Sequence, residues 1–184
     1  MKEAYKKCMK EKNTIKIKSY ESPCGVLLLG SFGGKLCLCD YWQVEKHCDR
    51  VNQRLKRILC AEFEISTSEI IEESIEQLNE YFAGQRKEFS VPLLFVGTDF
   101  QKTVWNELLK IPFGRTMSYG EMAKHIGRPQ AVRAVANANG ANSISIFAPC
   151  HRVIGSDHSL TGYGGGLSAK RFLLELESQP RLML

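Results

Sequence analysis

The chain has no apolar run approaching the roughly eighteen residues a membrane-spanning helix requires, and its opening MKEAYKKCMKEKNTIKIK lacks the apolar stretch of a secretory signal. A soluble cytoplasmic protein is expected, nuclear if the cell is eukaryotic, with no membrane partner. A disulfide framework is also missing. The seven cysteines (Cys8, Cys24, Cys37, Cys39, Cys48, Cys60 and Cys150) form an odd, scattered set that reads as reduced thiols. Low-complexity tracts are absent: 43% hydrophobic and 24% charged residues over 184 positions are globular proportions, which excludes a disordered or collagenous chain. Charge of one sign is in modest excess, a net +5, and it is divided. Residues 1–18 carry +5, residues 19–90 carry −4 and residues 91–184 carry +4. The tail lysines have no interleaved aromatics and read as a solvated segment, not a readout element.

What is present falls into two halves. In the first, Thr14 to Tyr20 alternates polar and apolar residues, Ser22-Pro23-Cys24-Gly25 is a turn, and GVLLLGSF-GGK-LCLCDYW reads as a hairpin, so an antiparallel meander is expected. A Lys/Arg-rich stretch around Arg54 and Lys56 follows. Ser66-x-x-Glu69 forms a capping-box pattern, and Ile71, Ile75, Leu78 and Phe82 recur at helical spacing until Gly84. The block QRKEFSVPLLFVG, with proline inside an apolar run, reads as an edge strand or connector. The domain boundary is placed there, giving residues 1–92 and 93–184.

The second half is mostly helical. Thr98-x-x-Gln101 caps a helix with Phe100, Val104, Leu108 and Ile111 on one face, and Ser118-x-x-Glu121 caps a short helix ending at Gly127. Pro129 suits the first turn of a third helix running to Asn139-Gly140. Two short helices about the IGRPQ turn make a helix-turn-helix candidate, although simple packing explains such a hairpin equally well. The stretch AVRAVANANG presents Arg133, Asn137 and Asn139 among alanines small enough for close approach to a groove or to another helix.

Reactive chemistry points to Pro149-Cys150-His151-Arg152-Val153. A thiolate is the nucleophilic form of cysteine, and a neighbouring base must take its proton. Adjacent side chains diverge, so His151 would reach the Cys150 sulfur through a water or an irregular turn. An orienting group for the imidazole is sought on the last helix, about Leu167 to Glu177. Glu175 lies one turn from Arg171 on a solvent-type face, whereas Glu177 lies one turn from Leu173 on the apolar face and is the better buried partner. A lone cysteine is more often a packed core residue, so the whole constellation has to carry the reading.

That constellation is Asn142, then PCHRV at 149–153, then Gly162-Tyr163-Gly164-Gly165-Gly166-Leu167, preceded by Ser118-Tyr119-Gly120-Glu121, Arg133-Ala134-Val135 and Phe100-x-x-x-x-Trp105. Over residues 95 to 178 it resembles the O(6)-methylguanine-DNA methyltransferases. Ser22-Pro23-x-Gly25 and the helix end Gln77-Leu78-x-Glu80-Tyr81-Phe82-x-Gly84 extend the similarity more weakly into the first half. The resemblance implies an α/β protein: an N-terminal ribonuclease-H-like antiparallel sheet with a helix, and a C-terminal helical, winged-helix-like domain containing a helix-turn-helix. It implies a monomer acting on double-stranded DNA that contains alkylated guanine, and a single-use transfer of the alkyl group to Cys150 after nucleotide flipping, with O(4)-alkylthymine as a further possible substrate. No cofactor is implied.

Residue by residue, the resemblance makes His151 the base acting through water, Glu177 its orienting partner and Asn142 a brace for the active-site turn. Tyr119 would meet a phosphate and help neutralise charge on the guanine oxygen, and Arg133 would fill the space of the extruded nucleotide. Ala134, Asn139 and Arg152 are expected on the DNA side. Backbone groups of Cys150, Val153 and Gly164 are expected to read the base, with Tyr163, Gly164 and Gly165 as the opposite pocket wall. Some relatives bind zinc in the first half, but the matching positions near Ser31 and Leu36 are not ligands. Cys37-x-Cys39 with His47-Cys48 could be offered as a replacement, but Cys37 and Cys39, taken to share one strand face, lack a second pair at zinc spacing, so no metal site is expected. Gly164 stands where several relatives carry serine, and Asn139 and Gly140 replace bulkier residues. A non-catalytic lesion-binding protein on this scaffold is disfavoured because such members lack the acceptor cysteine. A cysteine hydrolase would turn over without DNA.

Overall fold

The structure, a computed structural model, describes residues 13–42 and 45–178; Cys8, most of the basic tail and the side chain of His47 lie outside them. Strands β1 (Asn13–Ser22), β2 (Gly25–Phe32) and β3 (Lys35–Tyr41) pair antiparallel in the expected meander. A fourth strand changes the sheet. β4 (Ala61–Ile65) pairs parallel with β1, from Asn13↔Ala61 to Ile17↔Ile65, so the order is β3-β2-β1-β4 and the sheet is mixed. The crossover is α1 (Glu45–Leu59), which occupies the Lys/Arg-rich stretch. Its polar content hides a narrow apolar stripe: Val51 and Leu55, one turn apart, pack with Ile15, Cys37, Leu38, Ala61 and Val96.

The opposite sheet face is covered by α2 (Glu69–Phe82), whose Ile71 and Leu78 meet Leu27, Leu29, Leu36, Cys39 and Tyr41. The helix is capped by Ser68, whose hydroxyl accepts from Ile71 N, and not by Ser66. Ser66 instead donates its N–H to Ile17 O at 3.1 Å, prolonging the sheet edge, and Thr67 gives its hydroxyl to Glu72, which leaves Ser68 as the cap. Cys37 and Cys39 also depart from expectation. The β2–β3 register shifts between Gly30 and Ser31, and Cys37 falls in the α1-side cluster while Cys39 falls in the α2-side cluster. An extra residue at a β-bulge breaks the two-residue alternation on which a shared face depends.

The connector beyond α2 touches β3 by a single bridge, Leu36↔Leu93, with Leu36 N donating to Pro92 O and Leu94 N to Leu36 O. The same strand holds the segment before the reactive cysteine: Cys39 N donates to Ser143 O at 2.8 Å and Ser145 N to Cys39 O at 2.7 Å. Thus β3 is the seam between the two halves.

In the second half both capping boxes form, at Thr98/Gln101 for α3 (Asp99–Leu108) and at Ser118/Glu121 for α4 (Tyr119–His125). Helix α5 (Val132–Gly140) starts later than expected: Pro129 lies in the turn closed by Ala131 N to Arg128 O, and no side chain caps the helix. Val104, Trp105, Leu108, Met122, Ala123, Val135 and Ala138 form the core of these three helices, and Cys150 belongs to the same cluster. A two-residue parallel pair, β5 (Met117–Ser118) with β6 (Val153–Ile154), follows the Cys150–Arg152 turn, and α6 (Gly166–Ser178) closes the fold. The architecture is mixed α/β. Among the described residues no helix is long and apolar enough to cross a membrane.

Candidate active site

Cys150 opens a 3-10 turn and is 4% exposed. The preceding chain is fixed twice. The β3 seam holds Ser143 and Ser145, and Asn142 braces the loop from inside, its Nδ2 donating to Ala148 O at 2.9 Å and its Oδ1 accepting from Ile144 N at 3.0 Å. Burial pushes the Cys150 thiol up to about 11, and the Asp40 carboxylate adds to this; hydrogen bonds from Asn142 and Ser145 and the charge of Lys170 pull the other way. The resting group is therefore a protonated thiol that needs a base.

His151 is fully buried, and its Nε2 lies 2.8 Å from Glu177 Oε1. Burial lowers the imidazole pKa below its ordinary value, although Glu177 opposes the shift. Neutral His151 then carries its proton on Nε2, donated to the carboxylate, and Nδ1 is a buried lone pair with no hydrogen-bond partner. Glu177 accepts further bonds from Tyr81 OH (2.8 Å), Arg152 Nε (2.9 Å), Arg152 Nη2 (3.0 Å) and Gly114 N (3.1 Å). Burial would raise this carboxyl, but His151 and Arg152 overcome it and hold it at about 2. Gly114 makes the approach possible at φ +71°, where a Cβ would stand 2.9 Å from Glu177 O.

Arg152 is thereby corrected. Expected on the DNA side, it is 6% exposed, forks onto Glu177, donates to Ile111 O at 2.6 Å and lies over the Phe113 ring. It is the permanent cation that keeps a buried carboxylate ionised beside a neutral imidazole. Asn139 is corrected as well: 3% exposed, it turns inward, Nδ2 pointing to Cys150 O at 3.4 Å, because the helical period puts it on the same face as Val135. Val153 is fully buried; its N–H donates to Cys150 O and its carbonyl accepts Lys170 Nζ at 2.5 Å. Gly165 is pressed against the N-terminal half, since a Cβ there would stand 2.6 Å from the Tyr41 ring.

Two residues of the site's surroundings, one acting on the thiol and one on Tyr163, carry no reading in the sequence. Lys170 is fully buried, spans Val153 O and Thr161 O, and is lowered to about 8 by burial, which proximity to Cys150 opposes. Its signal was a lysine one turn from Leu173 on the apolar face. Tyr41 packs edge-on against Tyr163 at 5.6 Å and has no counterpart signal, because the pairing spans the two halves.

The remaining residues share one surface. Tyr119, Ala136, Asn137, Gly140, Gly162, Tyr163 and Gly164 line a cavity of about 440 Å³ between α5 and the glycine-rich loop. Tyr119 and Tyr163 also flank the cluster that contains Cys150, and Tyr163 stands edge-on to His151 at 6.4 Å. Beside the cavity, α5 exposes Val132, Arg133, Ala134 and Asn137. Two of the residues lining the cleft, Tyr119 and Tyr163, thus pack against the cluster that holds Cys150, and the small-residue helix α5, with Arg133 exposed, runs along its side. Among the described residues no group of three or more His, Cys, Asp or Glu side chains is arranged to hold a metal ion.

Two family models match in succession: the ribonuclease-like domain of 6-O-methylguanine DNA methyltransferase over residues 15–95, and the DNA binding domain of the same enzyme over residues 99–179. A methylated-DNA–protein-cysteine methyltransferase of Methanosarcina acetivorans is 44% identical over 158 residues, 86% of this chain and 95% of that relative. The chain belongs to the methylated-DNA–protein-cysteine methyltransferase family. Its Mycobacterium tuberculosis member is 61% identical over 104 residues, 56% of this chain; that match spans only 63% of the relative's own length. A solved structure of M. tuberculosis OGT in complex with DNA is similar at a TM-score of 0.74 and 42% identity, covering 90% of this chain and 92% of that one.

Proposed function

We propose that the protein repairs double-stranded DNA by moving the alkyl group of O(6)-alkylguanine onto Cys150, once per molecule. The observation that carries this reading is Cys150 beside the α5 cavity, with an imidazole whose Nε2–H is committed to Glu177 and whose Nδ1 is bare. The target oxygen is inaccessible in a stacked duplex, so the nucleotide is extruded into the cavity, with Arg133 taking its place in the stack. His151 Nδ1 withdraws the thiol proton through one water. The sulfur then attacks the alkyl carbon, the S–C bond forms as the C–O bond breaks, and the electron pair stays on the guanine, which takes a proton from water while the Tyr119 hydroxyl stabilises the oxygen and His151 releases the thiol's proton back to solvent. The products are unmodified guanine and a thioether, which water does not reverse, so the protein is consumed. A boundary near residues 92–93 and a cellular site where DNA is kept, cytoplasm or nucleus, belong to the same reading.

Incubation with excess duplex carrying O(6)-methylguanine should add one methyl group, roughly 14 Da for a CH₂ increment at a covalent cysteine, to the Cys150 peptide and then stop at one equivalent. Continued turnover, or a modified peptide elsewhere, would refute the proposal. Arg133→Ala should slow repair of the duplex by at least about tenfold, since unfilled unstacking costs a few kcal/mol. Transfer from free O(6)-benzylguanine should be nearly unchanged, and equal losses on both substrates would remove Arg133 from the flipping step.

A further inference from the structure

The recognition helix α5 ends two residues before the active-site brace: Gly140 is its last residue, Ala141 its C-cap and Asn142 the brace. The junction is held from the other half of the molecule. Arg54, on the crossover helix α1, donates from Nη2 to Ala141 O at 2.9 Å, and its guanidinium lies 5.2 Å from the centroid of the Trp105 ring. Trp105 in turn donates Nε1–H to Ala138 O at 2.8 Å, one turn earlier on α5. The last carbonyls of α5 are therefore met by two donors, stacked on one another, that come from different helices and different halves of the chain. A cation at the C-terminal end of a helix also complements its dipole.

The guanidinium is mostly enclosed, and its Nε is buried without a hydrogen-bond partner. An arrangement serving packing alone would be met more readily by an apolar side chain, because burying an imperfectly paired cation is unfavourable. Nearby, the buried Asp40 of β3 accepts from Ser145 Oγ at 3.3 Å, and its charge acts on both Arg54 and Cys150. The N-terminal half thus grips both sides of the segment that joins helix to thiol, at Ala141 through Arg54 and at Ser145 through Asp40.

We infer that Arg54 is a positioning residue for DNA recognition: by fixing Ala141 and Trp105 it sets the attitude of α5 relative to Cys150, so the N-terminal half takes part in presenting the duplex to the thiol. This rests on the repair reading above. Asn142 has two bonds of its own inside the loop, to Ala148 O and Ile144 N. Loss of Arg54 therefore disturbs the helix more than the thiol, and the defect is selective for duplex.

The test compares Arg54→Ala and Arg54→Lys with the wild-type full chain on two substrates, methylated duplex and free O(6)-benzylguanine. A Trp42→Phe background makes Trp105 the sole indole of the chain. Arg54→Ala should lower the second-order rate on duplex about tenfold, the scale of couplings carried through packed contacts, and the free-base rate by less than about twofold. The Trp105 emission should shift with the loss of its stacked cation. Arg54→Lys, which keeps charge and a donor but not the planar stack, should fall between the two on duplex. Equal losses on both substrates assign Arg54 a merely structural role and overturn the inference, as does an unchanged duplex rate. If Arg54→Ala does not fold, the same comparison is decided on Arg54→Lys. A wild-type protein that modifies Cys150 with neither substrate overturns the repair reading itself, a result distinct from an active wild type with an indifferent Arg54 variant.

Discussion

Glu177→Gln is expected to lower folding stability by about 3–5 kcal/mol, the usual consequence of removing one partner from a buried ion pair. The carboxylate accepts from His151, Tyr81, Gly114 and twice from Arg152. A glutamine of the same shape offers one acceptor oxygen and turns an N–H group toward a guanidinium that is 6% exposed. Denaturant unfolding should show the loss as a lower midpoint at an unchanged slope. The pH dependence adds a second signature. The folded pKa values of both Glu177 and His151 are depressed, so their stabilisation is complete above the ordinary values, about 4.3 and 6.5, and is lost as pH falls through the folded values. The wild type should weaken progressively below about pH 6.5, with the Glu177 contribution fading between about 4.3 and about 2. Glu177→Gln should lack that lowest limb. A variant within about 1 kcal/mol of wild type, an ordinary effect for a point substitution, would show that Arg152 finds another partner.

His151→Ala should reduce the rate of alkyl transfer by about 10²–10⁴-fold at neutral pH, the range for loss of a positioned base. The pH profile distinguishes loss of the base from general damage. With His151 present, the rate should be flat through neutrality and decline on the acid side, below the ordinary histidine value, because burial keeps the imidazole neutral and proton-accepting down to lower pH. Without it, the reaction depends on spontaneous ionisation of a thiol held near 11, so the rate should climb with pH across the alkaline range and approach wild type. A free-base substrate is the cleaner probe, since it separates thiol chemistry from DNA affinity. A flat profile for His151→Ala would mean that another group, such as Lys170, whose charge acts on the thiol, sets its ionisation.

Short-range patterns carried much of the outcome. Both capping boxes of the second half, the strand alternation of β1 and the preference for Glu177 over Glu175 rest on contacts within a turn or two, where residue type and spacing dictate geometry. Helix α1 escaped because a polar helix shows only two buried apolar positions, Val51 and Leu55, and strand β4 escaped although AEFEI alternates, because a five-residue run is placed only by its parallel pairing with the distant β1. Arg152 and Asn139 were placed on the wrong side for a related reason. A charged or amide side chain next to the reactive cysteine reads as a ligand contact until the fold supplies a buried partner, here Glu177 from 25 residues downstream for Arg152 and the Cys150 carbonyl for Asn139.

The amino-acid order alone therefore singled out the candidates: the thiol Cys150, the imidazole His151, the carboxylate Glu177, which the structure places 2.8 Å from the imidazole, and the small-residue helix that precedes them. These follow from residue types at close spacing, and spacing survives in a linear reading. How the thiol is kept protonated, why the imidazole stays neutral, and who holds the end of the recognition helix were decided only in three dimensions. Each depends on burial and on partners from the other half of the chain, Asp40, Tyr41 and Arg54 among them, which meet Ser145, Tyr163 and Ala141 across the β3 seam and the α1 crossover. Desolvation and long-range hydrogen bonds are properties of the packed molecule, and no local pattern encodes them.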